Sequence, residues 1–99
     1  MADYVLSSEA RLDLQDIWDF IARDNPDPAN RIINELLAAF EHLAEWPGSG
    51  HLRRDLTRSD VRFWPVGSYL VIYIEKSNPL QIVTIVHGAR DIPSIIGND

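Results

Sequence analysis

Two stretches in the first half of the chain place apolar residues at the spacing of an α-helix. Over residues 8–24, apolar side chains recur every three or four positions with aspartates between them, and either serine before Glu9 can cap the start. A broader stripe over residues 29–44 predicts a second helix, with Asp27 as its N-cap and Pro28 as its first helical residue. Because few residues join these segments, we expect an antiparallel helical hairpin.

The second half of the chain changes to the pattern of β-strands. Residues 61–66 and 69–75 are β-prone runs on either side of Gly67-Ser68, and residues 80–87 are nearly all apolar and β-branched. With a short β-prone run at residues 4–6, the predicted order is β-α-α-β-β-β. The helical hairpin would bury its apolar stripes on one face of a small, twisted, mostly antiparallel sheet, which defines an α+β fold.

Three local features refine this prediction. Pro65 cannot donate a backbone hydrogen bond, so its strand should lie at an edge of the sheet or end there. The polar, glycine-bearing connection over residues 47–60 is longer than most ordered loops, which favours a functional or mobile segment with little means to pack. The isoleucines of residues 88–96 need burial, so we expect this tail to fold back on the sheet or on a helix.

Composition limits the class of protein. The length of 99 residues with 45% apolar residues fits one domain over residues 1–99. The absence of cysteine excludes disulfides and thiolate metal sites. We also expect a soluble cytoplasmic protein, because no apolar run is long enough to cross a membrane and the N-terminus lacks the pattern of a signal peptide.

The charges are unevenly distributed along the chain. The formal net charge of −6 counts against sequence-blind duplex DNA binding, which depends on neutralising many phosphates. Residues 8–46 hold nine acidic and three basic side chains, whereas residues 51–91 hold six basic and four acidic ones. The first region is therefore predicted to form a solvated acidic surface, and any anion-facing surface belongs to the second.

Several stretches of the sequence, taken in order, resemble those of a known family. They are residues 4–10 (YVLSSEA), 13–18 (DLQDIW) with 21–22 (IA), 43–47 (LAEWP) with Gly50, 62–73 (RFWPVGSYLVIY) and 86–93 (VHGARDIP). They span essentially the whole chain and resemble the small toxins of the RelE/ParE superfamily, most closely its ParE branch. The fold of that superfamily agrees with the β-α-α-β-β-β order obtained from periodicity.

This resemblance implies the toxin of a type II toxin–antitoxin pair. A cognate antitoxin would neutralise the chain in a heterodimer or heterotetramer, and its basic residues could meet acidic side chains of the helices (Asp13, Asp16, Asp19 and Glu41). ParE-like members poison DNA gyrase, whereas RelE-like members cut messenger RNA on the ribosome. We therefore expect DNA gyrase as the target, with RNA cleavage as the alternative, and neither a cofactor nor sequence-specific DNA binding by this chain.

The candidate site residues lie mainly in the basic half. For a ribonuclease, phosphate-binding and proton-transfer groups would come from Arg53, Arg54, Arg58, Arg62, His87 and Arg90, with His51 as another histidine. Two departures from the RelE pattern favour a binding protein over an enzyme. Leu70 follows Tyr69 where RelE-like enzymes have a cation, and the tail carries isoleucines where they have a tyrosine.

The candidate contacts to a target or antitoxin are Arg53, Arg54, Arg58, Arg62, Trp64, His87 and Arg90. Each also has a structural interpretation. The loop arginines could pair with Asp55 and Asp60, Arg90 could pair with Asp91, and His87 could form a local hydrogen bond. Trp64 would anchor a partner if it were uncovered.

Two further expectations concern the burial of the aromatic residues and the binding of metal. The larger aromatic residues are expected to be mostly core: Trp18, Trp46, Phe63, Trp64 and Tyr69. No metal site is expected, because His51, His87 and Asp91 lack a recognised ligand spacing.

Overall fold

The structure is a computed structural model that describes residues 3–55, 58 and 60–88. Its elements, in chain order, are strand β1 (Tyr4–Leu6), helix α1 (Ser8–Ala22), helix α2 (Pro26–Glu45), a short 3₁₀ helix (Pro47–Ser49), and strands β2 (Arg62–Val66), β3 (Tyr69–Ile74) and β4 (Leu80–His87). The predicted order is confirmed. None of the described helices is long and apolar enough to cross a membrane.

Side-chain caps fix where both long helices begin. The Ser7 hydroxyl accepts a hydrogen bond from the Ala10 N–H at 3.0 Å, which makes Ser7 the N-cap of α1. The predicted start of α2 is wrong by two residues. Asn25 is the N-cap, accepting from the Asp27 N–H, and Pro26 is the first helical residue. Asn25-Pro26 offers the same cap-and-proline pair two residues earlier, so the helix begins there and gains additional backbone hydrogen bonds.

The four strands form one sheet with the order β1-β4-β3-β2. The β2–β3 and β3–β4 pairs are antiparallel, whereas β1 pairs in parallel with the first part of β4. The mostly antiparallel sheet is therefore confirmed, as is the edge position of the strand that contains Pro65. The β1 pairing stops at Ile82, so the remainder of β4 has α1 beside it among the described residues.

The core lies between the helical hairpin and one face of the sheet. Its fully buried residues include Leu36, Phe40 and Leu43 from α2 and Val71, Tyr73 and Ile82 from the sheet. A smaller apolar cluster, which includes Phe63, Ile72 and Val86, occupies the opposite face. This division follows from the alternation of side chains along each strand.

The aromatic residues divide between core and surface. Phe63 is buried in the smaller cluster, and Trp64 and Tyr69 pack partly buried against the main core. The expectation for two tryptophans was wrong, because Trp18 is 38% exposed and Trp46 is 60% exposed. Trp18 lies beside the hairpin partner helix, where its indole N–H donates to the Asn30 side-chain oxygen at 2.8 Å. Trp46 is at the C-terminal end of α2, outside the apolar stripe that faces the sheet.

Candidate functional site

The first arginine of the loop is paired with an acid two residues away. Arg53 Nε and Nη2 donate to the two carboxylate oxygens of Asp55 at 3.0 and 2.8 Å. This hydrogen bond lowers the pKa of Asp55 and, together with the charge of Asp55, raises the pKa of Arg53. Both side chains are solvent-exposed. Arg53 is thus oriented by a neighbouring carboxylate in the free protein.

Arg54 folds back over the same segment. Its Nη2 lies 3.4 Å from the Asp60 carboxylate, and its Nη1 donates to the backbone carbonyl of Arg58 at 2.9 Å. Lys76 also lies 3.8 Å from Asp60. Arg58 is exposed, and within the described part of the chain its guanidinium makes no ion pair. Arg53 and Arg54 therefore pair with Asp55 and Asp60, as the structural interpretation of the sequence anticipated.

Arg62 is the most enclosed of these cations. Its Nε donates to Glu75 Oε1 at 2.7 Å, and its Nη1 donates to the Gly50 carbonyl at 2.8 Å. Only 21% of its side chain is exposed. Arg62 therefore ties β2 to the turn that follows β3 and to the start of the loop, and these contacts occupy its Nε and Nη1 donors.

Gly50 is held by a buried tyrosine as well as by Arg62. The Tyr73 hydroxyl donates to the Pro47 carbonyl at 2.6 Å and accepts from the Gly50 N–H at 2.8 Å. A Cβ at position 50 would lie 2.5 Å from that hydroxyl oxygen, so only glycine fits. Burial raises the pKa of Tyr73, and the hydrogen bond from Gly50 opposes this increase.

The first part of the 47–60 connection is therefore well ordered, contrary to the expectation that it had little means to pack. Residues 47–49 form a helical turn, and the backbone of His51 exchanges two hydrogen bonds of 2.8 Å with Phe63 of β2. We call the contacts of Pro47, Gly50, Arg62 and Tyr73 the loop clamp. The loop clamp was not predicted, because Tyr73 is 23 residues from Gly50 and its β-prone surroundings indicate only a strand.

Each of the candidates His87 and Trp64 packs against one neighbouring ring. His87 is exposed at the end of β4, and its ring packs edge-on against Tyr69 with centroids 5.7 Å apart. Trp64 is partly buried against the main core and stacks on His42 of α2 at 5.3 Å. Trp64 is therefore covered in part by the helix, while its role toward a partner stays a prediction. Arg90 lies outside the described residues, as do Asp91 and the tail isoleucines.

The described ribonuclease candidates do not all lie at one place, because the backbone of His51 pairs with Phe63 next to Arg62, whereas His87 is distant from both. Arg62 is opposite Tyr73 in the β2–β3 register, whereas His87 is opposite Tyr69 in the β3–β4 register. These β3 positions are four residues apart, which corresponds to about 13 Å along the strand. Arg62 and His87 are therefore at opposite ends of the sheet. The described residues also contain no group of three or more acidic or histidine side chains that could hold a metal.

A second surface, which we call the α1 groove, lies between α1 and the end of β4. Its volume is about 690 Å³, and it is open to solvent on one side. Its lining residues are Glu9, Asp13, Asp16, Ile17, Asp19, Phe20, Arg23, Tyr69, Thr84, Ile85, Val86 and His87. The groove thus combines an apolar base with acidic side chains from one face of α1.

Asp13 joins the two walls of this groove. Its Oδ2 accepts from the Thr84 hydroxyl at 2.5 Å and from the Ile85 N–H at 3.0 Å. Asp13 was grouped with Asp16 and Asp19 as a solvated acid available to a partner, and the structure corrects that expectation. Because 71 residues separate Asp13 from Thr84, no local signal in the sequence could have indicated the contact.

A helical hairpin packed on a four-stranded mixed sheet is a known arrangement. The structure of the chromosomal ParDE toxin–antitoxin system from P. aeruginosa contains a chain that superimposes with a TM-score of 0.72 at 19% sequence identity. The superposition covers 88% of the present chain and 96% of that chain. At this identity the similarity establishes the fold, which is the α+β fold predicted from the sequence.

Sequence comparison gives the family. The chain belongs to the ParE toxin family of type II toxin–antitoxin systems, since the model of that family matches residues 4–92. Toxin ParE1 of Caulobacter vibrioides is 32% identical over 98% of this chain and 100% of its own length. Toxin RelE2 of the same organism is 34% identical over 91% of this chain and 99% of its own length. A putative toxin of Sinorhizobium fredii is 29% identical, with 84% of each chain covered.

Proposed function

We propose that this ParE-family toxin acts in the cytoplasm by binding and poisoning DNA gyrase, and that a cognate antitoxin neutralises it. The family supports a toxin with an antitoxin partner, and the similarity to toxin ParE1 extends over nearly the whole chain. Two features support action by binding. Leu70 follows Tyr69 where RelE-like enzymes have a cation, and Arg62 and His87 lie at opposite ends of the sheet, so this pair cannot act on one scissile phosphate.

Controlled induction in bacterial cells tests this proposal. We expect growth arrest with accumulation of gyrase-linked DNA breaks, and both effects should disappear when the antitoxin encoded beside the gene is co-expressed. Induction of a frameshifted copy at the same level serves as the control. Normal growth with no increase in gyrase-linked breaks would contradict the proposal.

Messenger-RNA cleavage on the ribosome is the second candidate, because toxin RelE2 is as similar in sequence as toxin ParE1. The exposed Arg58 and the exposed His51, whose backbone pairs with Phe63 next to Arg62, are the described groups that this chemistry would use. Mapping of transcript 5′ ends after induction separates the candidates. New cuts at a fixed position in the reading frame are expected only from a ribosome-dependent ribonuclease.

A further inference from the structure

We propose that Trp46, Leu52 and Arg58 form the surface with which this chain grips its target, and that they recognise an apolar pocket of a protein bordered by carboxylates. We call these three residues the Trp46 surface. The inference rests on the proposed function, and it specifies which part of the chain contacts gyrase and by what chemistry. All three residues lie outside both core clusters and outside the loop clamp.

Trp46 and Leu52 are large apolar side chains that the fold leaves in solvent. Trp46 is 60% exposed and Leu52 is 45% exposed. Trp46 caps the C-terminal end of α2, outside the stripe that packs on the sheet, so the core does not use its ring. An exposed tryptophan with an apolar residue and arginine nearby has the composition of an interface hot spot.

The loop clamp fixes the backbone that carries these two side chains. Its tyrosine hydroxyl bonds both to the Pro47 carbonyl and to the Gly50 N–H. Trp46 directly precedes Pro47, and Leu52 directly follows the two hydrogen bonds of His51 to β2. Both anchors therefore flank one closed turn and are positioned before a partner arrives. Such preorganisation reduces the entropy lost on binding.

The charge of the adjoining segment defines the partner. Residues 53–60 and Lys76 supply four cations and two carboxylates, an excess of two positive charges in a chain of net charge −6. Lys76 belongs to this group because it lies 3.8 Å from Asp60, and Arg54 holds the Arg58 carbonyl at 2.9 Å. A partner bearing aspartate or glutamate gains electrostatic complementarity here, whereas the acidic α1 groove would repel it.

An acidic protein surface fits these residues better than a nucleic acid does. The formal net charge of −6 opposes association with a duplex, which depends on neutralising many phosphates. Leu52 also offers no ring on which a base could stack. An apolar pocket bordered by carboxylates accommodates the tryptophan, the leucine and the arginine together.

Variants of the full chain test the surface by the dissociation constant with purified gyrase, measured by fluorescence anisotropy. Leu52→Ala removes an exposed leucine of the surface, and Leu12→Ala removes an exposed leucine of α1. Arg58→Glu reverses an exposed charge of the surface, and Arg31→Glu reverses an exposed charge of α2. Trp46→Ala removes the largest anchor. Each control thus matches its partner in chemistry but not in place.

We expect Trp46→Ala and Arg58→Glu to weaken gyrase binding about tenfold and Leu52→Ala about threefold, while both controls change it less than about twofold. The melting temperature and the affinity for the antitoxin encoded beside the gene should stay those of the unmodified chain.

Equal weakening by surface and control changes, or gyrase binding unaffected by the surface changes, would overturn the inference alone. An equal loss of antitoxin affinity would overturn it by assigning the surface to the antitoxin. Binding of plasmid DNA without gyrase that disappears in Arg58→Glu would overturn it in favour of a nucleic acid. If Trp46→Ala lowers the melting temperature, the leucine and arginine pairs decide. If the unmodified chain did not bind gyrase, the proposed function would fail, and the inference with it.

Discussion

The loop arginines and the α1 groove carry opposite charges. They differ further in whether their charged side chains form ion pairs within the described part of the chain. Arg53 and Arg54 pair with Asp55 and Asp60 within the same short segment, and Arg62 is enclosed by Glu75 and the Gly50 carbonyl. In the groove, Asp16 and Asp19 make no ion pair with the described residues. The net charge of a region therefore does not indicate which of its charges are available to a partner.

The loop clamp and the α1 groove differ in whether their polar side chains are bonded within the chain or exposed to solvent. The loop clamp places a tyrosine hydroxyl and an arginine around one glycine, whose N–H and carbonyl both have a partner there. Among the described residues of the groove, Asp13 and Thr84 have such a role through their mutual hydrogen bond, whereas Asp16 and Asp19 are exposed. We therefore expect changes in the clamp to affect stability and changes in the exposed groove residues to affect binding.

The largest effect is expected at Gly50. Gly50→Ala places a methyl group 2.5 Å from the Tyr73 hydroxyl, which must move and break its hydrogen bonds. We expect a loss of about 3 kcal/mol in the free energy of unfolding, measured by urea denaturation. Gly48→Ala is the control, because its Cβ would meet Glu75 only at 3.5 Å. Equal losses from the two variants would contradict the steric account.

Removal of the Tyr73 hydroxyl should have the next largest effect. Tyr73→Phe keeps the ring but leaves the Gly50 N–H and the Pro47 carbonyl without this partner. We expect a loss of about 2 kcal/mol in the free energy of unfolding. Tyr69→Phe, on the partly exposed side of the core, is the control, and a loss there as large as at Tyr73 would refute the specific role of the clamp.

Asp13 should contribute less than the clamp and more than its neighbours. Asp13→Ala removes the acceptor for the Thr84 hydroxyl and the Ile85 N–H, at a cost of about 1.5 kcal/mol in the free energy of unfolding. Asp16→Ala should leave this free energy within about 0.5 kcal/mol of the unmodified chain, because Asp16 is exposed. Similar losses from both substitutions would show that Asp13 does not join α1 to β4.

The clamp also predicts a dependence of stability on alkaline pH. Burial raises the pKa of Tyr73 above its ordinary value of 10.0, so the unfolded chain releases this proton first. The free energy of unfolding should therefore be unaffected by this group below pH 10.0 and should fall as the pH rises above it. Tyr73→Phe should show a shallower decrease in urea titrations at alkaline pH, and an unchanged slope would contradict the assignment.

The smallest effect is expected at the loop arginines. Because the Arg53–Asp55 pair is exposed, Arg53→Gln should leave the melting temperature unchanged. Arg62→Gln is the informative comparison, since it removes a partly buried ion pair and a bond to Gly50 and should lower the melting temperature. A larger decrease for Arg53 than for Arg62 would reverse the ranking proposed for these cations.

Local patterns in the sequence predicted the architecture well. The change from helical to strand periodicity indicated the element order, and Pro65 indicated the edge strand because it lacks an N–H. The Arg53–Asp55 pair was also foreseeable, since the two residues are close in sequence.

Contacts between distant residues could not be predicted in this way. Tyr73 meets Pro47 and Gly50 only after β3 has packed against the end of α2, and Asp13 meets Thr84 only after α1 lies beside β4. The α1 groove was missed for the same reason. Aspartates at three-residue intervals indicate one helix face, but not that a strand lies opposite.

The most direct test of action by binding is the supercoiling of relaxed plasmid DNA by purified gyrase in the presence of the purified chain. The account predicts loss of supercoiling with accumulation of cleaved plasmid as the chain approaches the concentration of gyrase, and restoration by an equal amount of antitoxin. Unchanged supercoiling and no cleaved plasmid at a large excess of the chain would contradict it.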